Sequence, residues 1–171
     1  MTSKNIILVG PLGVGKTTIG KQLAKRAHLI FYDSDQEIEK QTGVSVTTIF
    51  EIEGEAGFRK REKEMIAQLT QLENIVLSSG GGSILLPENR EAFSKSGTVV
   101  YLYSSDETQL TRTSKRKGVR PLLNTPDPYQ KIVELNAIRK PLYESIAQFS
   151  YNTDIDSPWD IAEQIYQSVL K

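Results

Sequence analysis

The sequence lacks several residue types on which whole classes of enzyme depend. It has no cysteine, which excludes disulfides, thiolate zinc sites and catalytic thiols. Its one histidine, His28, follows the first predicted helix, and we interpret it as a loop residue rather than as a member of a Ser-His-Asp triad. The 21 basic and 21 acidic residues give a formal net charge of zero. A nucleic-acid partner held by a bulk positive field is therefore not expected.

Long hydrophobic runs are also missing. The longest apolar run near the N-terminus, residues 6–9, is far too short for a signal peptide or a membrane span. We therefore expect a cytoplasmic protein with no membrane partner. The 171 residues are enough for one domain with its own hydrophobic core, and no repeat or linker divides them. Nothing in the sequence suggests an obligate interface, so we also expect a monomer.

Short hydrophobic runs alternate with helical patterns along the chain. Four runs rich in β-branched or aromatic residues are predicted strands, 6–9, 30–32, 75–78 and 98–103, and a fifth, weaker run is 149–151. The four stronger runs are hydrophobic throughout rather than alternating, which is typical of a sheet covered on both faces. An amphipathic helix is predicted over 55–72, with one apolar stripe formed by Phe58, Met65, Leu69 and Leu72. A second amphipathic helix is predicted after Pro158. The alternation predicts a three-layer α/β fold with a five-stranded parallel sheet, whose ligands bind beyond the carboxyl ends of the strands.

The strongest motif is Gly10-x-x-x-x-Gly15-Lys16-Thr17, which stands between a predicted strand and a predicted helix. It matches the P-loop pattern, in which glycines let backbone N–H groups turn around phosphates and the following helix adds its own N–H groups. Lys16 can reach the β/γ-phosphates, and the Thr17 hydroxyl can bind Mg²⁺. We therefore predict that ATP binds at a loop whose residues are Gly13, Val14, Gly15, Lys16, Thr17 and Thr18. The alternative is a glycine-rich turn that matches by chance.

The motifs of other P-loop classes are absent. Neither the guanine-reading Asn-Lys-x-Asp nor the switch Asp-x-x-Gly occurs, which argues against a GTPase. Motor ATPases and transporter cassettes are usually larger than this chain. A small-metabolite kinase remains, and such an enzyme needs an acceptor site and a lid. A module that senses ATP without transferring phosphate is the alternative from another functional class.

Two acidic residues at a strand end are candidates for the acceptor site. Asp33 and Asp35 are two residues apart and point the same way if the backbone is extended. One carboxylate could then hold Mg²⁺ through water while the other accepts hydrogen bonds from substrate hydroxyls. The alternative is structural, because Ser34-x-x-Glu37 also reads as a capping box at the start of a helix.

Two arginines are candidates for binding an anionic substrate. Arg59 could instead form only a surface pair with Glu55, one helical turn earlier. Arg139 has no charged residue at the neighbouring helical positions 135, 136, 142 and 143, which favours a substrate carboxylate as its partner. Gly80, Gly81 and Gly82 follow a predicted strand, where they allow close approach of a small ligand or form a flexible turn.

A basic segment lies between Glu107 and Asp127, where no acidic residue occurs. It could be a solvated loop, as charge runs usually are. In a kinase it predicts a mobile lid that closes over ATP and brings a cation to the transferred phosphoryl group. The basic residues of this segment are Arg112, Lys115, Arg116, Lys117 and Arg120.

Taken together, these stretches resemble the shikimate kinase family, which phosphorylates the 3-hydroxyl of shikimate in aromatic amino-acid biosynthesis. The matching strings are Gly-Pro-Leu-Gly-Val-Gly-Lys-Thr at 10–17, Phe-Tyr-Asp-Ser-Asp at 31–35, Gly-Phe-Arg at 57–59, Gly-Gly-Gly at 80–82, Arg-Pro-Leu-Leu at 120–123 and Arg-Lys-Pro-Leu-Tyr at 139–143. The resemblance implies a nucleoside-monophosphate-kinase-like fold, with a lid at about 113–127 and a substrate-binding region at about 33–61. Another small-metabolite kinase, such as a gluconate kinase, is the alternative.

The resemblance also implies a role for each matching residue. Asp33 binds Mg²⁺ through water, and Asp35 binds substrate hydroxyls and helps to deprotonate the attacking one. Arg59 and Arg139 clamp the shikimate carboxylate, with Gly80, Gly81 and Gly82 contacting the ring. Arg112 and Pro158 bracket adenine, and Arg120 reaches the phosphates from the lid. Lys16, Asp35 and Arg120 are the implied catalytic residues.

Overall fold

The computed structural model of the chain describes residues 4–115 and 121–171. Its centre is a five-stranded parallel sheet in the order β2-β3-β1-β4-β5, which confirms the predicted α/β architecture. The strands are β1 Ile6–Val9, β2 Ile30–Asp33, β3 Ile75–Ser78, β4 Thr98–Tyr103 and β5 Phe149–Asn152. Each lies where a short hydrophobic run predicts it, and only β2 and β5 extend one residue further.

Within the described ranges, seven α-helices connect and cover the strands. They are α1 Lys16–Ala27, α2 Ser34–Thr42, α3 Val46–Leu69, α4 Pro87–Ser96, α5 Asp106–Ser114, α6 Pro128–Ile146 and α7 Pro158–Ile165. Shorter 3₁₀ segments cover Gly81–Leu85 and Pro121–Leu123, and a π-helical turn covers Tyr166–Leu170. Apolar side chains of α3, α4 and α6 pack on one face of the sheet, and those of α1 and α7 pack on the other. The fold therefore has three layers.

How far the residues of a strand are buried depends on the position of that strand in the sheet. Every residue of β1 and β3 is buried, as expected for strands covered on both faces. The same expectation is wrong for the edge strand β2, where Ile30 is 60% exposed. In the other edge strand, β5, Phe149 is 36% exposed. An edge strand has a neighbour on one side only, so part of its surface faces solvent.

The helix predicted over 55–72 is the second part of a longer, bent helix. Helix α3 begins at Val46 and breaks at Gly54, where φ is 74° and ψ is 179°. Its predicted apolar stripe is buried at Phe58, Met65 and Leu69. Leu72, which was expected to continue the stripe, is 39% exposed, because the helix ends at Leu69 and the chain turns towards β3. By contrast, the helix predicted after Pro158 begins at that residue and is confirmed.

The order of the strands brings the sequence motifs to one edge of the sheet. Strand β1 is central and leads into the P-loop, while β3 beside it leads into Gly80–Gly82. Strand β2 ends at Asp33, next to β3. Among the described residues, no helix is both long and apolar enough to cross a lipid bilayer.

Candidate active site

Two adjoining cavities lie above the carboxyl ends of the strands. The larger has a volume of about 370 Å³ and includes the P-loop among its walls. The smaller has a volume of about 50 Å³ and includes Arg59 and Arg139. The described residues common to both walls are Leu12, Asp35, Gly80 and Gly81. A ligand in one cavity would therefore face a ligand in the other across a few side chains and glycines.

The P-loop backbone has the shape of an anion cradle. Gly13 and Gly15 have φ values of 82° and 95°, in the left-handed region that glycine adopts without strain. Gly15 precedes α1 without a side-chain cap, so the N–H groups of the first turn are left for a ligand. The predicted ATP-binding residues of the loop, 13–18, all line the large cavity.

Lys16 lies at the centre of this loop. Its Nζ donates to the carbonyl oxygens of Gly10 at 2.6 Å and Pro11 at 2.8 Å, and the residue is only 9% exposed. These carbonyls hold a poorly hydrated ammonium at the phosphate cradle. The position suits a compact cation that neutralises β- and γ-phosphate oxygens.

Thr17 and Asp33 form an oxygen-rich pair beside the loop. The Thr17 hydroxyl donates to Asp33 Oδ2 at 2.9 Å, and both residues line the large cavity. Asp33 Oδ1 accepts from Gln36 N at 3.1 Å and so caps α2. The cap is therefore Asp33, and the alternative capping box starting at Ser34 is wrong. Ser34 Oγ instead accepts from Gly80 N at 3.1 Å and joins α2 to the loop after β3.

The same pair fits a magnesium ion. Among the described residues, no cluster of three or more His, Cys, Asp or Glu side chains could hold a metal by itself. Mg²⁺ in phosphoryl-transfer sites is held by one or two protein oxygens, with phosphate and water oxygens completing the octahedron. The hard oxygens of Thr17 and Asp33 match that requirement.

Asp35 reaches the site in a different way from the one expected. It lies in the first turn of α2 rather than in an extended strand, so the alternation argument that paired it with Asp33 is wrong. Both carboxylates line the large cavity nonetheless. A Cβ on Gly80 would lie 2.9 Å from Asp35 Oδ1 and 2.8 Å from Glu62 Oε2. Glycine at this position thus leaves room for two carboxylates.

Arg59 has two acidic partners on its own helix. Its Nη2 lies 3.5 Å from Glu55 Oε1, which is the surface pair considered from the sequence. Its shorter contact, 2.9 Å from Nη1, is to Glu62 Oε1, and the Glu62 side chain is fully buried. The pKa of Glu62 is raised to about 7, chiefly because the carboxyl group is buried; Arg59 opposes the shift, and the nearby Asp35 carboxylate adds to it.

The sequence reasoning missed Glu62, although a signal was present. Glu62 falls on the apolar stripe between Phe58 and Met65, at a position where a helix buries its side chain. A charged residue on such a stripe needs a buried partner. Arg59, one turn away, supplies it.

Arg139 is buried in the wall of the small cavity. It is 3% exposed, and burial lowers the pKa of its guanidinium, with the like charge of Arg59 acting in the same direction. The Tyr143 hydroxyl, one turn further along α6, interacts with Arg139 and donates to Gly81 O at 2.5 Å. As expected from the sequence, Arg139 has no charged neighbour at positions 135, 136, 142 and 143. The sequence reasoning overlooked Tyr143, which is an uncharged partner of Arg139.

The three glycines form a defined path rather than a flexible turn. Gly80 is extended, with φ −62° and ψ 149°, and a 3₁₀ helix begins at Gly81. A Cβ on Gly82 would lie 2.2 Å from Arg59 Nη2. The glycines therefore let backbone and arginine side chains meet closely around the small cavity.

Arg112 connects two walls of the large cavity. Its guanidinium donates to Gly13 O at 3.0 Å, to Thr153 Oγ1 at 3.1 Å and to Thr153 O at 2.9 Å. These bonds tie the P-loop to the segment that leads to Pro158, and both Arg112 and Pro158 line the cavity. The pairing around adenine remains a prediction.

The predicted lid is described only in part. Arg120 lies outside the described residues, as do Arg116 and Lys117. On either side of them, Lys115 lines the large cavity and Leu122 lines the small one. The sequence reasoning missed the apolar wall of the small cavity, which consists of Leu12, Val46, Phe50, Phe58 and Leu122.

Comparison with known proteins shows that the chain is similar to shikimate kinases in both sequence and structure. The family model for shikimate kinase matches residues 12–170. A shikimate kinase of Methylococcus capsulatus is 52% identical over 168 residues, covering 98% of this chain and 93% of that protein. One from Thioalkalivibrio sulfidiphilus is 50% identical over 163 residues, covering 95% and 85% respectively. The solved shikimate kinase from Acinetobacter baumannii in complex with shikimate is 46% identical, with a TM-score of 0.95 and coverage of 99% and 94%.

Proposed function

The chain belongs to the shikimate kinase family, and from this premise we propose that its large cavity holds ATP while its small cavity holds shikimate. The enzyme transfers the γ-phosphoryl group of ATP to the 3-hydroxyl of shikimate, which gives shikimate 3-phosphate and ADP. The observation that carries the placement is the wall common to both cavities, formed by Leu12, Asp35, Gly80 and Gly81. A ligand in each cavity would contact this same wall, which places donor and acceptor next to each other.

At the donor end, the P-loop N–H groups and Lys16 surround the β- and γ-phosphates. Thr17 and, through water, Asp33 would hold Mg²⁺, and the bound ion would neutralise charge on these phosphates. Arg112 and Pro158 flank the adenine. The bonds from Arg112 to Gly13 and Thr153 support this assignment, because they join the phosphate and base ends of one cavity.

At the acceptor end, Arg59 and Arg139 together bind the shikimate carboxylate. The opposite charges of the two arginines and Asp35 orient the ring. The shikimate carboxylate faces the arginines, and the shikimate hydroxyls face the Asp35 carboxylate. Gly80, Gly81 and Gly82 contact the ring. Asp35 accepts a hydrogen bond from the 3-hydroxyl and takes up its proton as the new P–O bond forms.

Residues at about 113–127 act as the lid, and those at about 33–61 act as the substrate-binding region. Lys115 on the donor side and Leu122 on the acceptor side support this division, since they flank the central part of the lid. Closure excludes water and brings Arg120 to the transferred phosphoryl group. We further propose that the enzyme works as a monomer in the cytoplasm, which light scattering on the purified chain and cell fractionation would test.

A coupled ADP-release assay tests the proposed function. With ATP·Mg²⁺, turnover should depend on shikimate and not on gluconate. Arg139→Ala should raise the KM for shikimate while the KM for ATP stays unchanged. Turnover that requires gluconate would reject the acceptor, and a rise in the KM for ATP would place Arg139 in the nucleotide site.

A further inference from the structure

The break in α3 lies between two segments that each form part of the small cavity. Val46 and Phe50 line the cavity from the first segment, and Phe58 and Arg59 line it from the second. Gly54 stands between them with φ 74° and ψ 179°, a conformation that residues with a Cβ rarely adopt. The bend at Gly54 therefore determines how far the apolar wall stands from the arginine.

The first segment of α3 is joined to α2 by a hydrogen bond. Glu39 of α2 accepts a hydrogen bond from Val46 N at 2.9 Å, which ties α2 to the start of α3. Helix α2 also carries Asp35. A change in the bend would thus shift Asp35 and Phe50 together relative to Arg59, and all three line the small cavity.

A bidentate ion pair joins the two segments of α3 across the break at Gly54. Arg61 Nε donates to Glu53 Oε1 at 2.6 Å, and Arg61 Nη2 donates to Glu53 Oε2 at 2.9 Å. In a continuous helix, residues eight apart are separated by about 12 Å along the axis and do not meet as neighbours. The pair consequently exists only in the bent form of α3.

We propose that the Glu53–Arg61 ion pair positions the acceptor site by holding the bend at Gly54. Neither residue lines a cavity among the described walls, so both act through Phe50, Arg59 and Asp35. The proposal rests on shikimate occupying the small cavity. The P-loop lies between β1 and α1, whereas the pair lies on α3, so the pair should affect the KM for shikimate more than the KM for ATP.

Steady-state kinetics of Glu53→Gln, Arg61→Gln and the double variant tests the proposal. Each single variant should raise the KM for shikimate about two- to fivefold, the range expected for an exposed ion pair. The KM for ATP should rise less than the KM for shikimate, because Asp35 is the one of the three shifted residues that also lines the large cavity. The double variant should match the singles, because one pair can be lost only once. The charge-swapped Glu53→Arg/Arg61→Glu variant should recover part of the affinity.

Glu91→Gln is the matched control, because it breaks an exposed pair with Lys95 on α4 whose contact is 2.7 Å. It should leave both KM values as in the wild type. An unchanged KM for shikimate in the single variants, additive effects in the double variant, or an equal rise in the KM for ATP would each overturn the proposal.

Two measurements keep the outcome unambiguous. The wild type is assayed alongside, and if it shows no shikimate-dependent turnover, the proposed function fails rather than the role of the ion pair. Arg61→Lys keeps the charge but loses the bidentate geometry, so it should give an intermediate rise in the KM for shikimate. If Arg61→Gln does not fold, Arg61→Lys replaces it. A wild-type KM for shikimate in both Arg61→Lys and Glu53→Gln would then reject the proposed role of the ion pair.

Discussion

Gly82 is the position where one methyl group tests the acceptor site most directly. A Cβ there would lie 2.2 Å from Arg59 Nη2 and 2.5 Å from Arg59 Cζ, far inside van der Waals contact. The φ of Gly82 is outside the left-handed region, so Gly82→Ala brings no backbone strain of that kind. The substitution therefore acts by displacing the Arg59 guanidinium.

The size of the effect follows from what Arg59 must give up. Normal carbon–nitrogen contact requires the guanidinium to move by about 1 Å or more. Its Nη1 is bound to the buried Glu62 at 2.9 Å, so it cannot shift and keep all its bonds. Losing a hydrogen bond to the charged substrate carboxylate costs about 1.5–3 kcal/mol. The KM for shikimate should rise about 10- to 150-fold, while the KM for ATP stays unchanged.

A double-mutant cycle with Arg59→Ala isolates this cause. In the Arg59→Ala background the new methyl group has no guanidinium to displace, so Gly82→Ala should change the KM for shikimate by less than about twofold. All four proteins are compared in the ADP-release assay over a range of shikimate concentrations. An equal penalty in both backgrounds would show that the methyl group acts on something other than Arg59.

Lys16→Ala should lower kcat by at least about 100-fold, because charge stabilisation in the transition state is lost; near-normal turnover in the same assay would contradict the phosphate-loop assignment. The raised pKa of Glu62, about 7, means that its carboxyl group stabilises the fold fully below the ordinary value of 4.5, and that this contribution is lost as the pH rises through about 7. Urea unfolding should therefore give a lower free energy of unfolding at about pH 8 than at about pH 5.5, and Glu62→Gln should reduce that difference; an unchanged difference would refute the titration of Glu62. Tyr143→Phe should cost about 1–3 kcal/mol of stability, because Gly81 O loses its buried donor; an unchanged urea midpoint would argue against this bond.

Features that depend on a short stretch of chain were predictable from the sequence. Each strand is a run of four to six residues with its own hydrophobic signal. The P-loop is a contiguous motif whose glycines are required by local backbone geometry. The helix after Pro158 begins where the fixed φ of proline favours a first turn.

Features that depend on distant contacts were not predictable in the same way. The alternation rule assumed that Asp35 is extended, whereas the Asp33 side chain caps a helix that begins one residue later. The exposure of β2 depends on its place in the strand order, which a local pattern does not contain. The carboxylates of Asp35 and Glu62 both lie beside Gly80. Asp35 is 45 residues before Gly80 in the sequence and Glu62 is 18 residues before it, so only folding brings the three together.

The wall formed by Leu12, Asp35, Gly80 and Gly81 has a consequence for ligand design. Because the two cavities share this wall, they adjoin each other. A single molecule with an adenosine end and a cyclic carboxylate end, joined by a short connector, could therefore occupy both cavities. Once one end is bound, a connector of that length keeps the other end near its cavity at an effective concentration in about the millimolar range. Such a molecule would bind more tightly than either of its halves without forming any contact that the halves lack.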